Sequence, residues 1–231
     1  MAAKEISVVL VHGAWADGSS WSKVISRLVA QGANVIAAPI PLTTLDDDVA
    51  AVNRTLDRIN GPVVLVGHAY AGAVIGATRH TAVKSLVYVA ALAPAEGETV
   101  ADIFYRGTPH PSAPKLAPER DGFIWLPQSA FATAFAPNAT VEEQAILGAI
   151  QRPISAACIS VKVGRPLWKD VPTWYLLAQN DRMIVRDNQH FMAERMTAKV
   201  RAIDADHAPS VTAPDEVVRT ILDAVEATRS L

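Results

Sequence analysis

A repeated unit, a short apolar run followed by an amphipathic segment, fills the first 91 residues and constrains the fold more than any other feature. Residues 6–11 are mostly β-branched, polar only at Ser7, and stop at Gly13, which reads as a buried strand. Ser19 or Ser20 is placed to cap a helix that runs to Ala30 and ends at Gly32. Residues 34–38 read as a second strand, closed by Pro39 and Pro41. Asp46, Asp47 and Asp48 open a second helix, whose acidic first turn suits the positive end of the helix dipole. Gly61 ends that helix. Residues 63–66 read as a third strand, residues 69–79 as a helix of small residues, and residues 85–91 as a fourth strand. Strands and helices in this alternation imply a parallel sheet with right-handed crossovers. The nearly continuous apolar strands agree, because such strands are covered on both faces.

The rhythm breaks at Pro94. Residues 95–170 hold eight of the fifteen prolines and show no clean strand alternation. They are too long for an ordinary loop in a compact domain and read as an inserted, mostly helical cap, with 1–94 and 171–231 as the α/β core. Within them Thr140 and Glu143 form a capping-box pattern ahead of a helix over 145–150. Strands resume at 173–178 and 200–203, and a last helix over 215–227 follows Pro214. Half of the 231 residues are hydrophobic, enough for one sizeable core. Charged residues are 19% and the formal net charge is −2, which gives no reason to expect a nucleic-acid partner. Cys158 is the single cysteine, so no internal disulfide can form, and no Cys/His spacing suggests a zinc site. Residues 1–5 lead straight into the first apolar run. That run is too short for a signal sequence or a membrane span, so the expectation is a cytoplasmic protein with no membrane partner.

The chemistry concentrates at the ends of the apolar runs. In Val63-Val64-Leu65-Val66-Gly67-His68-Ala69-Tyr70-Ala71-Gly72 a buried strand enters a tight turn and then a helix. That is the context of the G-x-S-x-G nucleophile elbow, with Ala71 in place of the last glycine and Ala69 in place of the nucleophile. Leu10-Val11-His12-Gly13-Ala14-Trp15 ends the first strand like an H-G-x oxyanion loop, whose donors would be the backbone N–H groups of Ala14 and Tyr70. Asp181 follows a late strand, where a triad acid sits. His207, in Asp206-His207-Ala208-Pro209, lies between the last strand and the last helix, where a triad histidine sits. The order nucleophile, acid, histidine matches the α/β-hydrolase order.

With these motifs the chain resembles the α/β-hydrolase superfamily. It is most similar to small bacterial esterase-like members related to plant methyl-ester esterases and hydroxynitrile lyases. The resemblance rests on residues 11–15, the elbow, Asp181-Arg182-Met183-Ile184 and the Asp206-His207 ending. It implies an α/β fold with a helical cap and, for a parent with serine at 69, cofactor-free hydrolysis of an ester, thioester or lactone. In that parent the serine attacks, His207 acts as base and then acid, and Asp181 orients the imidazole.

Ala69 has no atom able to attack a carbonyl. A deliberate Ser→Ala change in an ester hydrolase ranks first among the readings, because His207 and Asp181 both remain. The others are a natural ligand-binding protein and a lyase with His207 as base. Asp204, Asp206 and Asp102 are rivals to Asp181. His12 is expected to brace the oxyanion loop and His68 to pack behind the elbow, while His80, His110 and His190 read as surface or loop residues. Trp15, Phe123, Trp125 and Trp168 are candidate walls of an apolar substrate pocket, and the Tyr70 side chain could join them. No metal, nucleotide or flavin is implied. The implied partner is a small ester-like molecule, and an exposed apolar cap face leaves a homodimer open.

Overall fold

In the computed structural model, which describes residues 6–230, the early apolar runs become strands β1 (Ser7–Val11), β2 (Asn34–Ala38), β3 (Val63–His68) and β4 (Val83–Val89). Residues 1–5 lie outside the described residues. Helices α1 (Ser22–Ala30), α2 (Leu45–Leu56) and α3 (Ala71–Ala77) connect the strands. The chain then leaves the sheet. It forms α4 (Val100–Phe104), β5 (Phe123–Ile124), α5 (Gln128–Ala130) with a π-helical turn at Phe131–Phe135, α6 (Val141–Ile150), β6 (Ile154–Ser155) and α7 (Ala157–Ser160). It returns through β7 (Thr173–Ala178), α8 (Arg186–Arg195), β8 (Lys199–Ile203), α9 (Pro209–Thr212) and α10 (Pro214–Arg229).

The main sheet runs β2-β1-β3-β4-β7-β8 and every neighbouring pair is parallel. Alternate residues of each strand feed two different cores. Val9, Val11 and Leu65 pack on the side of α2 and α3, and Val8, Leu10, Val64 and Val66 meet Val24 and Leu28 of α1 and Val217 and Ile221 of α10. In the inner strands β1, β3 and β7 both faces are buried, which is why they read as unbroken apolar runs, whereas the edge strand β8 is largely exposed. The chain passes from β1 outward to β2 and then back across β1 to β3, so the strand order reverses between β1 and β3. In open α/β sheets ligands bind at such a reversal, beyond the carboxyl ends of the strands.

Several boundaries differ from those expected. β3 runs on through Gly67 and His68, which pair with Tyr88 and Val89, so the turn falls on Ala69 and α3 starts only at Ala71. Neither serine caps the first helix: a 3-10 turn (Gly18–Trp21) precedes α1, and Asp17 caps that turn by accepting from Ser19 N, while α1 starts after Trp21 with no side-chain cap. α8 was not anticipated at all. Its inward face carries the polar residues Asn188 and Gln189, so no apolar stripe marks it in the sequence. Residues 95–170 were expected to be mostly helical. Their helices are short, residues 105–122 form no helix or strand, and β5 pairs antiparallel with β6 across the intervening α5 and α6. The capping box at Thr140 and Glu143 forms, and the helix it starts spans Val141–Ile150.

Candidate active site

Four sequence segments leave the carboxyl ends of β1, β3, β7 and β8 and converge at the strand-order reversal. The turn after β3 is the tightest. Ala69 has φ 50°, a left-handed conformation that costs a non-glycine residue about 1–3 kcal/mol. Its carbonyl accepts from Gly72 N (3.1 Å) and Leu92 N (2.9 Å), which holds the turn closed. A Cβ on Gly67 would sit 2.8 Å from the Ala71 carbonyl oxygen, and one on Gly72 would sit 2.3 Å from the Leu92 carbonyl oxygen. Both glycines are therefore required by close backbone approach, the reason small residues flank such a turn. The loop after β1 presses on the same point. A Cβ on Gly13 would lie 2.9 Å from the Ala69 methyl.

The amides of Ala14 and Tyr70 adjoin Ala69 from these two loops. Neither is taken by a backbone or side-chain acceptor among the described residues. His12 braces its loop by donating from Nδ1 to the Gly13 carbonyl (2.9 Å). Trp15, at φ 57°, donates from its backbone N to Arg152 O and from Nε1 to Ile124 O, both at 2.9 Å. That pins the oxyanion-type loop to the segment between β4 and β7 at two points.

His207 and Asp181 meet beneath the same cavity. His207 Nδ1 donates to Asp181 Oδ2 at 2.8 Å, and both side chains are essentially sealed from solvent. Asp181 is itself fixed. Oδ1 accepts from Met183 N (2.7 Å) and Ile184 N (2.9 Å), and Oδ2 also accepts from Gln189 Nε2 (2.9 Å). A carboxylate held this way fixes the imidazole with its proton on Nδ1 and leaves Nε2 as the basic nitrogen. The rivals lie elsewhere. Asp102 caps α4 by pairing with Thr99, Asp204 pairs with Asn180, and Asp206 accepts from Ala208 N, Thr212 Oγ1 and Asn138 N.

His68 packs behind the elbow between Trp21, Phe135 and His207, and its Nε2 donates to the His207 carbonyl at 2.7 Å. Burial and the neighbouring His207 push its pKa down to about 3, so it stays neutral. Burial also holds His12 below the usual histidine range. His80 pairs with Asp57 at the surface, His110 is part-buried and His190 is exposed.

The cavity over Ala69 is lined by Ala14, Trp15, Ala69, Tyr70, Met183 and His207, together with Phe104, Tyr105, Leu116, Ile124, Ile154 and Ile159 of the inserted segment. It leaves about 50 Å³ for the centres of water-sized spheres, room for a compact group only. Of the four expected pocket aromatics, Trp15 alone lines it. β5 alternates, so Ile124 points in while Phe123 is turned aside and Trp125 is 43% exposed. Trp168 instead packs behind α3, near Gly76.

Two residues of this site escaped the sequence. Gln189 carries no signal before α8 is known. Asp48 was read with Asp46 and Asp47 as a dipole complement, yet it is fully buried and accepts from Leu42 N (Oδ1, 2.7 Å) and from the Tyr70 hydroxyl (Oδ2, 2.7 Å). Helical periodicity offered the one clue, since Asp48 shares the inward face of α2 with Val52.

The sequence matches the profile of the Alpha/beta hydrolase family over residues 8–220. No curated protein sequence matches it. Among solved structures, a pyrethroid hydrolase from Sphingobium faniae JZ-2 superposes with a TM-score of 0.82 at 22% identity, over 98% of this chain and 100% of that one. A methylesterase from Arabidopsis gives 0.78 at 18% identity, over 96% and 99%. Tomato methylketone synthase I, as an H243A variant complexed with β-ketoheptanoate, gives 0.82 at 19% identity, over 97% and 99%. The chain belongs to the α/β-hydrolase family.

Proposed function

We propose that this chain catalyses a cofactor-free acid–base reaction on a small, mainly apolar carbonyl compound, with His207 as the proton-transferring group. The observation that carries this reading is the contrast at the elbow. The His207–Asp181 pair is completely assembled, with every Asp181 oxygen engaged, while residue 69 offers only a methyl group. A histidine held by a fixed carboxylate beside two unpaired amides can still move a proton and stabilise a developing oxyanion. It does not need a covalent intermediate to do so.

β-Keto acids are the substrates to try first. The fold neighbour bound to β-ketoheptanoate supports that choice, as does the apolar cavity. In such a reaction the C–CO₂ bond breaks and its electron pair enters the keto group as an enolate. The Ala14 and Tyr70 amides stabilise the enolate oxygen, CO₂ leaves, and His207, which has taken the substrate's carboxyl proton on Nε2, delivers that proton to the α-carbon. The test is ketone formation from short-chain β-keto acids by the unaltered chain and by His207→Ala. A loss of about 10²–10⁴-fold in the variant is expected. Absence of any His207-dependent turnover, with binding retained, would favour a ligand-binding protein instead.

A second reading has its own support. The strained elbow and the amide pair are the geometry of a carboxylic-ester hydrolase, so a serine at residue 69 would complete one. In that reading Ala69 is a Ser→Ala replacement and the natural substrate is an ester, thioester or lactone.

A further inference from the structure

We infer that Asp48 is a positioning residue of this site, tying the residue that supplies an oxyanion-type amide to the wall of the substrate cavity. The inference rests on the reading above that the Tyr70 amide faces the reacting oxygen. Asp48 sits in the first turn of α2 with no exposure and no cationic partner. A buried carboxylate without a cation is costly and persists only if neutral donors satisfy it. Here the donors are three. Leu42 N reaches Oδ1 at 2.7 Å, the Tyr70 hydroxyl reaches Oδ2 at 2.7 Å, and Cys158 Sγ stands 3.8 Å from Oδ2.

Each donor belongs to a different part of the site. Tyr70 follows the elbow, its ring lines the cavity and its amide is one of the two unpaired donors. Leu42 is held at φ 62°, and its carbonyl accepts from Ser155 N (2.9 Å) in β6. Cys158 lies on α7, between Ile154 and Ile159, two residues of the cavity wall. Asp48 is thus the node at which α2, the elbow and the inserted wall meet. Burial pushes its carboxyl above the usual carboxylate range against the pull of the Tyr70 and Leu42 hydrogen bonds, and pushes the Cys158 thiol up to about 12. The Tyr70 ring cannot swing without breaking its 2.7 Å bond to Oδ2, which would leave that oxygen only the long Cys158 contact at 3.8 Å.

The test uses Asp48→Asn, Tyr70→Phe and the double variant, each with Ala69→Ser so that the elbow can be labelled by a fluorophosphonate. The labelling rate at saturating reagent should fall on the order of 10-fold in each single variant, with the half-saturating concentration changed by less than about twofold. The double variant should label no more slowly than the worse single one, because both remove the same bond. Undiminished labelling in both single variants, or losses that multiply, would overturn the inference. A second measurement does not depend on the oxyanion reading. Cys158 is the only cysteine, so modification by a disulfide reagent in the chain with Ala69 in place reports the wall directly. Asp48→Asn and Tyr70→Phe should speed it by on the order of 10-fold. If Ala69→Ser labels in no background, the ester-hydrolase reading of the elbow fails by itself. Asp48 still stands as the tie if thiol modification accelerates, and falls if it does not.

Discussion

The two sides of the cavity are built in opposite ways. On one side, Ala14, Ala69, Asp181 and His207 stand just beyond the ends of parallel strands, and backbone pairing and repeated hydrogen bonds fix each of them. On the other side, residues 95–170 contribute single side chains from short elements. Phe104 ends a five-residue helix, Ile124 and Ile154 face each other in an antiparallel pair of two-residue strands, and Leu116 comes from a stretch with no regular structure. In the proposed reaction the sheet side would determine which proton and which oxygen are handled, and the inserted side how large a molecule fits. A change on the first side should therefore act on rate, and a change on the second on binding or local stability.

The largest expected effect tests the sheet side at its weakest point. Ala69→Ser should convert a chain inert to fluorophosphonate into one that is labelled, and should raise ester hydrolysis by up to about 10⁶-fold, the scale lost when triads lose their nucleophile. Mass spectrometry of the labelled residue checks it. Labelling at any other residue would mean that the elbow does not present residue 69 to the cavity. In that serine background Asp181→Asn comes next, with a loss of about 10⁴-fold in kcat, because Asn cannot hold His207 in the tautomer with Nε2 free. Steady-state kinetics on an aryl ester reads this, and a change confined to KM would count against the role of Asp181.

Acid separates the two sides by stability. His68 titrates at about 3 in the folded chain and at 6.5 when free. Above pH 6.5 it is neutral in both states. Between pH 6.5 and about 3 the unfolded chain takes up a proton that the folded chain refuses, so stability falls as pH falls. The full loss is on the order of 5 kcal/mol. Denaturant midpoints measured from pH 7 to pH 4 should show this limb, and His68→Gln should make it shallower, leaving the part due to buried His12. The inserted segment has one histidine, His110, which is not buried, and His110→Gln should leave the limb unchanged. Equal slopes in the unaltered chain and His68→Gln would remove His68 as its source.

The contrast also explains what the sequence could and could not reveal. The strands, the elbow, His207 and Asp181 were legible because each follows a buried apolar run whose end is marked by glycine or by a turn. Helix and strand ends were off by a few residues where tertiary pairing won, as when Gly67 and His68 stayed in β3. The wall was not legible. In β5 a one-residue shift decides whether Ile124 or its aromatic neighbours Phe123 and Trp125 face the substrate, and nothing local sets that register. Trp168 looked like a wall because it is large and apolar, yet it fills the space behind α3. Asp48 and Gln189 were missed for a shared reason: a polar residue on the inward face of a helix looks like an error in the pattern until its partner is seen.

The smallest effect sharpens the contrast most, because it separates stability from chemistry within the inserted segment. Thr140 and Glu143 close a reciprocal cap at the start of α6: Thr140 Oγ1 accepts from Glu143 N at 3.2 Å, and Glu143 accepts from Thr140 N at 2.9 Å. Glu143 also pairs with Lys23 of α1, a partly exposed contact worth little alone. Thr140→Ala removes one half of the cap and should cost about 1 kcal/mol, seen as a shift in the denaturant midpoint. No residue of α6 lines the cavity, so the labelling rate of the Ala69→Ser chain should stay within about twofold when Thr140→Ala is added. A larger fall would mean that the inserted segment moves as one body with its wall residues. The short helices would then support the cavity together, and the division between a sheet that governs rate and an insertion that governs fit would have to be redrawn at α6.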